Sequence, residues 1–255
     1  MADYRTGPLP AAVIGRTALD MIRRTWPHAK PVWLTAAVVN MAAQAIVLSA
    51  PKPAEGAQAA VTAPELVAGV LTAAVMAAGA RRLLESERTW TLDRGALTYL
   101  AVDLAFAGVM VAWVAAVWGI AGQGKAGAAL SPQAGGAAIA LIVAGGFLLW
   151  SRFRIGLWPL AKLMGHPGLT LADAWRRMKG AFGGWLAAQV VLCWIPNYLV
   201  AVIFLGGVLK LHDTSPVALA GNALFGLAVT PLQVMTTALM AAVYHLRAGG
   251  KPPGE

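Results

Sequence analysis

Six apolar stretches run through the chain, at Val32–Ala50, Pro64–Leu84, Leu97–Ala121, Ala134–Ser151, Phe182–Leu209 and Pro216–Tyr244. A helix crosses roughly 30 Å of hydrocarbon with about 20 mostly apolar residues, and each stretch is of that order. The pattern predicts an all-α, polytopic integral membrane protein with six transmembrane helices plus two interfacial amphipathic helices. The fifth and sixth stretches are the longest, and each carries a proline near its middle, Pro196 and Pro231.

The amphipathic pieces lie outside these stretches. Residues 11–26 place Val13, Ile14, Ala18, Ile22 and Trp26 on one helical stripe, with Arg16, Asp20, Arg23 and Arg24 largely opposite. That pattern is expected to lie in the headgroup region, with Pro27 and Pro31 ending it before the first span. The second piece follows a Pro167-Gly168 turn. Thr170 is placed as its N-cap and Asp173 as a first-turn acid that suits the helix dipole. Leu171, Ala174, Trp175, Met178 and Phe182 face one way there, and Arg176, Arg177 and Lys179 another. The expected organisation is a cytoplasmic amphipathic segment over 1–30, a six-helix transmembrane domain over 31–247 and a cytoplasmic tail over 248–255.

Charge sets the orientation. When the connections are assigned alternately to two sides, one side collects 17 of the 20 Lys and Arg residues, and the other holds only Lys52, Lys125 and Lys210. Cytoplasmic loops retain Lys and Arg, so both termini are expected in the cytoplasm of a cell whose inner membrane the chain spans. The charged fraction is 12%, against roughly 25% for soluble domains. The net charge of +9 is explained by this sorting toward an anionic cytoplasmic leaflet, so anionic lipids are the expected partner and nucleic acid is not. Trp33, Tyr99, Trp150, Trp158, Trp185 and Tyr244 fall near the cytoplasmic boundary, where an aromatic belt is expected. The single cysteine, Cys193, is expected to behave as a small buried hydrophobe.

Catalytic motifs are absent from the sequence, and the four histidines, His28, His166, His212 and His245, are too scattered for a metal site. No cofactor and no enzymatic activity are expected. Asp103 is the one acid well inside a span. An intramembrane charge commonly pairs, and Arg152 and Arg154 end the next span at a similar depth. A structural ion pair and a proton-relay or substrate role are both open for it. Asn40 and Gln44 share a face near the middle of the first span, while Asn197 and Gln233 each follow a proline near the middle of theirs. Amides beside Pro-interrupted helices suit a midplane transport site. They suit interhelical hydrogen bonding equally.

One stretch carries a family resemblance. Arg154, Pro159, Gly168-Leu169 and then Ala172-Asp173-Ala174-Trp175-Arg176-Arg177-Met178-Lys179-Gly180 resemble an arginine-tipped span followed by a proline, a short turn and a helix entering the next span. Together with Ile14-Gly15 and the closing Tyr244-His245-Leu246-Arg247, the pattern is similar to the YciC-like family of bacterial inner-membrane proteins. It is similar also to the related membrane domain of glycerophosphoryl diester phosphodiesterases. Arg176 stands where that family often has Ser. The resemblance implies a six-helix inner-membrane domain without a soluble catalytic part. The expected function is a non-catalytic accessory or envelope-related role exerted through lipids, a membrane-protein partner or self-association. The alternative is a small transporter or channel with its site at Asn40, Gln44, Asn197 and Gln233.

Overall fold

The apolar stretches fold as helices, and among the residues described in the computed structural model (7–49, 63–84, 90–121, 132–166, 168–206 and 213–248) there is no strand. The long elements are α1 (Ala11–Ser49), α2 (Ala63–Leu83), α3 (Arg94–Ala121) and α4 (Pro132–Ile155). Short helices α5 (Leu157–Leu163) and α6 (Leu171–Arg177) follow, then α7 (Phe182–Gln189), a π-helical turn (Val190–Trp194), α8 (Ile195–Leu205) and finally α9 (Pro216–Ala248). Among the described residues, five segments are long and apolar enough to cross a membrane: Ala11–Ser49, Leu66–Leu83, Gly135–Leu163, Phe182–Leu205 and Pro216–Arg247. The stretch expected as the third span lies within α3. Lys52, Lys125, Lys210 and His212 fall outside the described residues, as do most of the loops carrying them.

The N-terminal amphipathic segment is not a separate helix. Residues 11–26 and the first span form one helix of 39 residues, with Pro27 and Pro31 inside it. A proline deletes one donor and crowds the carbonyl four residues back, but packing can hold the axis through it. Here Thr25, Ala29, Val32 and Trp33 are buried on either side of the two prolines. Thr25 and Thr35 also donate to the Met21 and Pro31 carbonyls. The buried stripe runs Ile14, Ala18, Met21, Thr25, Ala29, Val32, Ala36, Asn40 and Ala43, at steps of three or four. Trp26, expected on that stripe, is exposed instead.

α1 pairs along much of its length with α9, and small residues set how closely. A Cβ on Gly226 of α9 would overlap the Asn40 carbonyl of α1. Gly79 of α2 likewise leaves the space that the Trp33 ring fills. Trp33, Trp185 and Tyr244 are buried in the core.

The second amphipathic helix is short. Thr170 caps α6 through a reciprocal bond with Asp173, but the chain turns at Gly180, where φ is +79°. Phe182 consequently starts another helix, and Leu171 is exposed. In the fifth stretch the helix widens just ahead of Pro196. The Ile195 N–H reaches back to the Val190 carbonyl, a five-residue step. Pro196 then sits in the first turn of α8, where no N–H is required. Pro231 lies inside a continuous α9. Neither proline breaks its helix.

Burial is uneven along the bundle. Phe153, Leu157, Leu160, Met178, Leu239 and Val243 close a core at the end where α4, α5, α6 and the last turns of α9 meet. α8 buries no residue at all. The Gly226 contact yields a direct test. Gly226→Val should cost about 1–3 kcal/mol by overpacking against backbone that cannot move aside, seen as a lower unfolding midpoint in detergent. Gly69→Val and Gly108→Val, at positions facing open space, should leave that midpoint nearly unchanged.

Candidate functional site

The polar side chains inside the bundle gather on the α1–α9 seam. The Asn40 amide donates to Gln233 Oε1 at 2.5 Å and to Thr230 Oγ1 at 3.1 Å. Thr230 in turn donates to the Gly226 carbonyl, so the group closes on the helix contact that Gly226 permits. Asn40 is 2% exposed. Of the four amides singled out in the sequence, only Asn40 and Gln233 meet. Gln44 is half-buried one turn further along α1, and Asn197 is exposed on α8.

Further polar contacts were not anticipated. Asn222 donates to Ser49 at the far end of the seam. Gln189 donates to Thr236 at 2.9 Å, across the junction of α7 and α9. Their sequence signal was the spacing on α9. Asn222, Gly226, Thr230 and Gln233 recur at steps of four, four and three, a single helical face. The third contact is Arg81. It is 1% exposed, and its guanidinium donates to the Leu163 and Thr91 carbonyls and to both oxygens of Asp93. Its neighbourhood ties the end of α2 to the start of α3, where Asp93 also accepts from the Ala96 N–H. Arg247 is similarly enclosed, donating to the Gly7 and Lys179 carbonyls. Arg81 entered the sequence reading only among the basic residues that set the orientation, and Arg247 there and in the closing Tyr244-His245-Leu246-Arg247 pattern.

Asp103 contacts one of its two candidate partners. Arg152 donates to it at 2.5 Å and lies over the Phe106 ring. Arg154, two residues on, points elsewhere. Its guanidinium rests 4.7 Å from the Trp175 ring centroid and 5.5 Å from that of Trp150. Among the described residues no three His, Cys, Asp or Glu side chains lie close enough together to hold a metal ion.

No protein-family model, no curated protein and no solved structure matches the chain. What the site can do must therefore be read from its geometry. Hydrogen bonds from Asn40 to Thr230 and Gln233 join the two helices through their side chains and fix their register.

Burial raises the Asp93 carboxyl, but the Ala96 N–H, the Arg81 guanidinium and the Gly95 N–H outweigh it and hold the group below its ordinary 3.8. A depressed carboxyl stabilises the fold at pH values above its unfolded pKa, and that contribution fades as pH falls through the folded value. The unfolding midpoint of the natural chain should thus drop below about pH 4. Asp93→Asn, which leaves a buried arginine short of its countercharge, should lose about 3 kcal/mol at neutral pH and show a flatter acid profile. For Asp103, a double-mutant cycle with Arg152→Ala should give a coupling of up to about 1 kcal/mol. The same cycle with Arg154→Ala should give none, and a larger coupling to Arg154 would contradict the observed pairing.

Proposed function

We propose that this chain is a non-catalytic integral protein of the bacterial inner membrane, similar to the YciC-like group, that acts as an accessory component through lipids or a partner protein. In this reading α3 is the sixth span. It is 28 residues long, and it begins beside Asp93, on the strongly basic side of the chain. Both termini lie on the cytoplasmic side with 17 of the 20 basic residues, as the cost of translocating Lys and Arg favours.

One observation carries the non-transporting part of this reading. The buried Asn40 amide bonds the half-buried Gln233 across a seam too close for a Cβ at Gly226. A transporter or channel would need Asn40, Gln44, Asn197 and Gln233 to converge on a solvated cavity beside opened helices. Asn197 instead lies on the outer surface, and the chain stays helical through Pro196 and Pro231.

Thiol accessibility tests both halves. In a background lacking Cys193, cysteines at Thr214 should react with an impermeant reagent on intact cells, and cysteines at Gly165 only after the membrane is opened. Asn40→Cys and Gln233→Cys should stay unreactive toward water-soluble reagents from either side, since a thiol without water does not ionise. The opposite labelling order would invert the orientation. Rapid reaction at both positions 40 and 233 in a well-folded protein would establish a solvated site and favour transport.

A further inference from the structure

Among the described residues Arg154 is held without a protein counterion. Each of the four described ion pairs commits a carboxylate to a different arginine: Asp20 to Arg23, Asp93 to Arg81, Asp103 to Arg152 and Asp173 to Arg176. Among the described residues Arg154 has no ion-pair partner, and its Nε is buried with no hydrogen-bond acceptor. What holds it is aromatic. The Trp150 and Trp175 rings meet edge to face, centroids 4.9 Å apart and planes at 85°, with the guanidinium within cation–π reach of both. One ring comes from the end of α4, a membrane-crossing segment, and the other from α6, so the site exists only because the chain turns back on itself between them. Phe147 continues the aromatic surface one turn deeper in α4, 5.6 Å from Trp150 and largely exposed.

We propose that Arg154, set between Trp150 and Trp175, binds the phosphate of an anionic phospholipid headgroup. A guanidinium fixed in plane offers paired N–H donors that match phosphate oxygens. Indoles favour the level of the headgroups, with their apolar bodies toward the acyl chains. The exposed apolar flank of α4 at Phe147, Val143 and Ile139 continues toward the hydrocarbon and suits an acyl chain below the headgroup. This site gives a definite location to the lipid partner of the proposed function and rests on that reading's membrane placement. It does not depend on which side faces the cytoplasm or on whether the amides are solvated.

The test is lipid retention by the purified full-length protein in detergent, read by native mass spectrometry during titration with phosphatidylglycerol, phosphatidylcholine or inorganic phosphate. The natural chain should retain phosphatidylglycerol in preference to phosphatidylcholine. Arg154→Ala should weaken that binding about tenfold, equivalent to about 1.4 kcal/mol. Trp175→Leu should weaken it too, and Arg154→Lys, a point charge without the planar fork, should do so to a smaller degree. Arg94→Ala removes an equal charge at an exposed site outside the cluster and should change binding less than about twofold. Equal losses for Arg154→Ala and Arg94→Ala would overturn the proposal in favour of general attraction to anionic surfaces. Displacement of the lipid by inorganic phosphate at matching concentration would overturn the lipid assignment in favour of free phosphate. Should Arg154→Ala not fold, Arg154→Lys and Trp175→Leu decide: unchanged retention in both would end the proposal.

Discussion

Helices in lipid gain little by burying apolar surface against one another, because the acyl chains outside are as apolar as a leucine inside. A bundle in that solvent is held by close backbone approach and by hydrogen bonds that lipid cannot replace. Both occur at one place here, where Gly226 admits the Asn40 backbone and the Asn40 amide reaches Thr230 and Gln233. The contact fixes the rotation and register of α1 against α9. With that register goes the Ser49–Asn222 bond at one end of the pair, and on α1 the Trp33 ring lies against Gly79 of α2. Helices α2 and α7 are then placed against an existing pair.

The second organising device is the treatment of charge at the basic end. Arg81 and Arg247 are nearly inaccessible, yet each finds backbone carbonyls that its helix neighbours leave free. Buried guanidinium groups need several acceptors to offset lost hydration. These two obtain them by tying chain segments together: Arg81 joins α2 to α5 and to the start of α3, and Arg247 joins α9 to residues 7 and 179. The densest packing and the buried cations share that end. α8 runs out of it without burying a residue. One end is thus densely packed and laced with polar contacts, while α8 stays exposed.

Much of this was legible in the sequence, for definable reasons. Long apolar runs must be helical where water is absent, so the helices at 63–83, 182–205 and 216–248 follow from composition and length. The Thr170–Asp173 cap was legible because a reciprocal cap is local chemistry, complete within four residues. The pairing of Asp103 with a nearby arginine was also readable, since a charge at that depth seeks a partner and few lay within reach.

What the sequence could not decide was everything that depends on a neighbouring helix. Pro27 and Pro31 read as a stop, but with Ala29 and Val32 buried between partners the helix continues through them. Whether Arg152 or Arg154 took Asp103 depended on which side of α4 faced α3 and which faced Trp175, a rotation that no local pattern encodes. The orientations of α8, α1 and α9 are likewise set by packing, which leaves Asn197 outward while Asn40 and Gln233 meet. By itself the sequence determined that the chain is helical and apolar and how its charge is sorted, because backbone satisfaction and charge are properties of single segments. Only the tertiary structure decided which polar groups are partners. A hydrogen bond needs its two atoms within about 3 Å, and that distance is set by the packing of whole helices.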